Sequence, residues 1–155
     1  LRPDDWIEVK GSGSDVFFRN PASAEENMFV SISSPSSTKF DTPRDLGPPR
    51  VAAQKVLDQT LAEFMSTRIG VRREARVVAA AERVGADARG DPVVCYDFAF
   101  RLKSFATKNQ YGLTEADRPQ ALEWDRVLSS TLVVANKRLY ELRTQCAAED
   151  YEKTR

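Results

Sequence analysis

An α+β domain, a largely antiparallel sheet under helical cover, is what this sequence predicts, and three observations predict it. Two strand-like segments, Asp15–Arg19 and Met28–Ser33, open the chain close enough together to pair as a hairpin or meander. A single amphipathic helix follows a Pro48-Pro49 start. The chain then returns to strand patterns joined by short turns, and strands followed by one helix and more strands favour antiparallel pairing with helices packed on the sheet.

Each element has a local reason. Val16-Phe17-Phe18-Arg19 is β-branched and aromatic, preceded by the flexible Gly11-Ser12-Gly13-Ser14 turn and ended by Asn20-Pro21. From Met28 to Ser33 apolar and polar residues alternate, the pattern of a half-buried strand. Ser34 to Pro49 has loop composition, and proline just after Gly47 suits the first turn of a helix running to about Ser66. Val56, Leu57, Leu61, Phe64 and Met65 give that helix one apolar stripe.

Arg76–Ala81 reads as a strand of small residues, with a helical reading left open by its alanines. The clearest strand places Val94, Tyr96, Phe98, Phe100 and Leu102 on one face, with Cys95, Asp97, Arg101 and Lys103 on the other. A connection from about Thr107 to Gln120 is a candidate functional loop. Leu122–Leu128, extended by Leu132–Val134, then pairs through Ala135-Asn136-Lys137 with Arg138–Arg143. The charged tail from Ala147 begins a helix at most.

Length and composition narrow the function. A chain of 155 residues fits one domain, spanning 1–155. Lysine plus arginine and aspartate plus glutamate number 23 each, so no global field draws the chain to nucleic acid or an acidic membrane surface. The sequence holds no histidine, the residue most used for acid/base chemistry near neutral pH and for metal ligation. No apolar run approaches the roughly 18 residues of a membrane span, and Leu1–Lys10 lacks the apolar core of a signal peptide. The expectation is a non-enzyme that works by docking.

The remaining constellations fit that expectation. Gly11-Ser12-Gly13 lacks the further glycine and lysine of a nucleotide loop, and a strand follows it, so it reads as a plain turn. No GxSxG, HExxH, CxxC or EF-hand pattern occurs, and the serines from Ser31 to Ser37 have no histidine to activate them. Strand spacing puts Glu123 and Asp125 on one face opposite Trp124, leaving a weakly bound surface Ca2+ open there and no other cofactor. Arg68, Arg72, Arg73 and Arg76 form the densest basic cluster, read either as a solvated strand end or as a docking patch for an acidic partner. Cys95 and Cys146 are either free thiols or one bridge closing a long loop.

Taken in order, these segments resemble the PsbP family of thylakoid-lumen photosystem proteins. The resemblance rests on Trp6, on Val16-Phe17-Phe18-Arg19-Asn20-Pro21, on Asn27 through Ser34-Pro35, and on Asp45-Leu46-Gly47-Pro48. It continues with the aromatic strand around Tyr96 and with Asn136-Lys137-Arg138-Leu139-Tyr140-Glu141-Leu142. It implies an α/β/α sandwich around a central, largely antiparallel sheet, with the usual C-terminal helix absent or truncated. It further implies residence in the chloroplast thylakoid lumen, peripheral to the membrane, and a role as an extrinsic subunit of a photosynthetic complex. In the best-known member that complex is photosystem II, with its oxygen-evolving cluster and the calcium and chloride retained there. The implied partners are the core and lumenal subunits of photosystem I or II; a transient assembly factor of a photosystem or the NDH complex, and a small lumenal enzyme, are the alternatives.

Overall fold

In the computed structural model, which describes residues 4–10, 16–23, 25–34, 39–63, 70–107 and 120–153, one seven-stranded sheet carries two helices. Along the chain come β1 (Ile7–Glu8), β2 (Val16–Arg19), β3 (Asn27–Ile32), a 3-10 turn at Pro43–Leu46 and α1 (Pro49–Glu63). Then follow β4 (Val71–Ala86), β5 (Pro92–Thr107), β6 (Gln120–Ala135), β7 (Arg138–Ala147) and α2 (Ala148–Lys153). The spatial order is β1-β2-β3-β7-β6-β5-β4, and every neighbouring pair is antiparallel. The predicted α+β class and antiparallel sheet are therefore what the chain adopts.

The core lies between α1 and one face of the sheet. Tyr96, Phe98, Phe100 and Leu102 of β5 join Leu128 and Leu132 of β6 beneath Ala52, Ala53 and Leu57 of α1. The contact runs through Ala52 and Ala53, both fully buried, rather than only through the larger residues of the expected stripe, and the helix lies mainly over β4 beside the aromatic strand. Thr60 is also fully buried, and its Oγ1 donates to the Val56 carbonyl at 2.8 Å, which satisfies the hydroxyl within the helix. Phe64 and Met65 lie outside the described residues.

The entry to α1 is built by short-range hydrogen bonds. Thr42 Oγ1 accepts from the Arg44 amide at 3.1 Å, while Asp45 Oδ2 accepts from the Thr42 and Asp41 amides at 3.0 and 2.7 Å. These amide donors hold the Asp45 carboxyl below the usual carboxylate range. Gly47 follows at φ 101°, a conformation that favours glycine, and its carbonyl accepts a 2.9 Å hydrogen bond from the buried Tyr96 hydroxyl. Sheet and helix are tied at that point.

Two strand expectations are revised in extent. The segment expected at Arg76–Ala81 is a 16-residue edge strand, which excludes the helical reading, and β6 runs unbroken from Gln120 to Ala135. The tight turn into β7 holds Asn136 and Lys137 at φ 51° and 61°, the backbone sign that two-residue hairpin loops require. The helix only begun in sequence is the six-residue α2, with Ala148 buried and Glu152 meeting Arg101 on the face of β5 opposite the aromatic row. The Gly11–Ser14 turn and most of the Thr107–Gln120 connection lie outside the described residues.

The bridge left open between Cys95 and Cys146 is excluded, and both are free thiols. Cys95 pairs with Val133 of β6 and Cys146 with Val127, so the two lie six residues apart along that strand on opposite flanks of it. At about 3.3 Å per residue this is a separation on the order of 20 Å, far beyond the ~7 Å limit for a disulfide. Cys95, expected on the polar side, does share that face but is buried. Burial, then the Asp150 and Glu26 carboxylates, push the Cys146 thiol up from its ordinary value.

Two expectations for measurement follow from this packing. Phe100→Ala empties a site that is fully buried and is expected to cost about 3–5 kcal/mol. Tyr96→Phe removes only the donor to Gly47 and is expected to cost about 1 kcal/mol. Both are read as a lowered urea midpoint at unchanged slope. Iodoacetamide added to the chain unfolded without reductant is expected to label Cys95 and Cys146 together.

Candidate docking surface

The two faces of the sheet differ in kind. One is covered by α1 and holds an internal ion pair at its β3–β7 end: Arg143 donates from Nε and Nη2 to Glu141 at 3.0 Å each, and Ser130 Oγ donates to Glu141 at 2.6 Å. Arg143 also lies over the Phe29 ring at 4.9 Å, so this pair is a buried, satisfied element of packing. The opposite face meets only α2 among the described elements, near the Arg101 level.

That opposite face has an apolar end and a charged end. An open groove of about 630 Å3 is lined by Val30, Val93, Cys95, Val133, Tyr140 and Leu142, with Arg83 and Thr131 at its side. Arg83 and Thr131 both bond to Asp97, the latter at 2.7 Å, so the polar groups beside the groove are paired. The alternation of β5 and β7 produces this arrangement, because their even and odd positions divide between the helix-covered face and the open one.

The charged end gathers residues from three strands and α2. Arg101 donates to Asp125 from Nε at 2.9 Å and Nη2 at 2.8 Å, a two-pronged pair, and from Nη1 to Glu152 at 3.1 Å. Lys103 lies 3.6 Å from the same Asp125. The hydrogen bonds from Arg101 hold the Asp125 carboxyl below the ordinary aspartate range, against the opposing effect of its burial, and the same bonds raise Arg101. Arg72 donates to Gln120 at 2.8 Å, pairs with Glu74 and stacks its guanidinium 4.4 Å above the Phe105 ring.

The four-arginine cluster read from the sequence is not one surface. Arg68 lies outside the described residues. Arg72 and Arg76 stand on the open face, whereas Arg73 pairs with Ser104 and shares the α1-covered face with Ala75 and Val77. Successive residues of a strand point to opposite sides, so arginines adjacent in sequence are divided by the sheet. What joins Arg72 and Arg76 is a pair from the polar face of β5, Arg101 and Lys103, whose i,i+2 spacing is the signal the sequence offers for it.

Glu123 and Asp125 are likewise separated. The β5–β6 register shifts at Ser104, which opposes Trp124 while Phe105 opposes Leu122, so Glu123 is the extra residue of a bulge. The bulge turns it to the Ser104 hydroxyl, at 3.1 Å, on the side of Leu102, while Asp125 bonds Arg101 and Lys103 on the other side. The shared-face carboxylate pair expected from strand spacing does not form. No group of three or more metal-ligating side chains occurs among the described residues.

Comparison with known proteins gives three agreeing results. The PsbP family model matches residues 1–155. The chain is 41% identical over 143 residues to PsbP domain-containing protein 1, chloroplastic, of Arabidopsis thaliana, covering 92% of this chain and 48% of that protein. It thus spans about half the length of that curated relative. Its fold is similar to the solution structure of cyanobacterial PsbP (CyanoP) from Synechocystis sp. PCC 6803, with a TM-score of 0.63 at 21% identity, covering 99% of this chain and 76% of that one.

The Asp125 pair carries a pH signature. Because the folded carboxyl titrates below the unfolded one, its stabilisation is complete above the unfolded aspartate range and is lost as pH falls through the folded value. Asp125→Asn is expected to lower stability by about 1–3 kcal/mol at neutral pH, by loss of the charge-assisted pair. The gap to wild type should close as pH drops below about 4, measured by urea unfolding across pH.

Proposed function

The chain belongs to the PsbP family along its whole length, and from that premise we propose that it is a non-catalytic extrinsic subunit docking on the lumenal face of a photosynthetic membrane complex. PsbP-type proteins are associated with photosystem complexes and are in general not enzymes, and the family match is the observation that carries this reading. The chloroplastic name of the Arabidopsis relative supports residence in the chloroplast, and within it the thylakoid lumen is the compartment of this proposal. Among the described residues no helix is long and apolar enough to cross a membrane, which accords with peripheral attachment.

The geometry supports docking as the mode of action. A sheet with one face built into a core and the other displaying an apolar groove beside a charged end offers the two contact types that protein interfaces combine, an apolar centre and a polar rim. The photosystem core with its lumenal subunits is the proposed partner. Calcium has no place in the proposal beyond weak surface binding, since Asp125 is already occupied by Arg101 and Lys103.

Isolation of native thylakoid complexes, followed by a graded salt wash and quantitative mass spectrometry of what remains bound, tests this. The expected result is retention in constant ratio to one mature photosystem at low salt, with release as salt rises. Recovery only with incomplete complexes would make the protein an assembly factor, and absence from every complex would overturn the docking proposal.

A further inference from the structure

On the open face, Arg76 of β4 is paired directly across from Arg101 of β5, with Glu74 across from Lys103 one step along. Like charges placed directly opposite in a sheet are destabilising. Arg101 is compensated on its far side by Asp125 and Glu152, and Lys103 by Asp125, while Glu74 is held by Arg72. Among the described residues Arg76 makes no ion pair, and it is exposed on the outermost strand. Between these side chains lies a depression of about 280 Å3 lined by Glu74, Ala75, Arg76, Arg101 and Lys103.

We propose that this depression is an anion-recognition site that takes the carboxylate of an aspartate or glutamate from the docking partner, with Arg76 as its principal contact. The inference rests on the docking reading above and names the chemistry of the partner surface. With Arg72 and the pairing carboxylates counted, four cations meet Glu74, Asp125 and Glu152, so Arg76 is a local positive excess in a chain whose net charge is +0, and recognition acts at short range rather than through a global field. The next residue of β4 on this face beyond the bulge is Ala79, whose methyl leaves the guanidinium open to an incoming group. A single acid seated between Arg76 and Arg101 would pair the one and relieve its repulsion with the other, and charge complementarity of this kind sets specificity and on-rate. The site lies on strand backbone whose β5-facing amides belong to the ladder, and among the described residues no helix N-terminus lines it to cradle a phosphate, which favours a carboxylate.

The proposal makes an unusual joint claim: Arg76 opposes stability in the free protein and supports binding. Arg76→Glu is expected to raise the thermal midpoint by about 1–3 °C, through a cross-strand pair with Arg101. The same variant should weaken rebinding to salt-washed thylakoid membranes by about tenfold or more and flatten its salt dependence, with Arg76→Gln intermediate in both. A synthetic octaglutamate peptide should raise the midpoint of the wild type and not that of Arg76→Glu, whereas inorganic phosphate at the same charge concentration should do much less.

The arms separate the two readings. If the wild type responds to octaglutamate through Arg76 but never rebinds the membranes, the lumenal docking proposal fails and the site stands. If wild type and Arg76→Glu rebind alike with the same salt slope, or if octaglutamate stabilises both alike, the site is overturned whatever the membranes show. A lowered midpoint in both Arg76→Glu and Arg76→Gln would also overturn it, since Arg76 would then serve the fold.

Discussion

Burial of the Tyr96, Phe98, Phe100 and Leu102 row of β5 against Ala52, Ala53 and Leu57 of α1 is the contact on which the other features depend. It places β5 between β4 and β6, brings the helix close enough for the Tyr96 hydroxyl to reach Gly47, and leaves every second residue of the strand on the far side. Because strand side chains alternate strictly, the far-side residues Cys95, Asp97, Ala99, Arg101 and Lys103 are positioned by the same packing that buries their neighbours. The open face is the reverse of the core.

That dependence explains how a surface assembled from β4, β5, β6 and α2 can hold a defined geometry. The two-pronged Arg101–Asp125 pair is only partly exposed, so it is worth more than a freely solvated pair, and Glu152 of α2 joins it at 3.1 Å. Asp125 consequently serves the scaffold, fixing Arg101 and drawing in Lys103. The outer β4 strand is the sheet's edge, paired on one side alone among the described residues. It carries the exposed Arg72 and Arg76 at the sheet's rim, and a bulge between Val77 and Ala79 bends the strand away from simple edge-to-edge pairing.

Much of the architecture was legible in sequence because it rests on local signals. The alternation in β5, the Asn136-Lys137 turn, and the Gly47-Pro48-Pro49 helix start each depend on a few adjacent residues. The full length of β4 was less legible, since Arg72, Arg73 and Glu74 look like a solvated run until β5 supplies their pairing partners. The part of α1 that joins the core was also hidden, because alanines at positions 52 and 53 add little to an apolar stripe yet are fully buried in the cluster with the aromatics.

The sequence by itself determined the class of fold, the family, and the absence of histidine from whatever chemistry the chain performs, since these follow from composition and from the order of local patterns. Only the tertiary structure decided which charges share a surface. Arg73 was removed from its neighbours by the pleat, Glu123 from Asp125 by a single extra residue in β6, and Cys95 from Cys146 by the length of the strand between their partners. In place of the sequence cluster, strand register set Arg76 beside Arg101 and Lys103, which lie some 25 residues further along the chain. Proximity across a sheet is governed by register, which accumulates over whole strands and shifts with each bulge, whereas a sequence displays only neighbours along one strand.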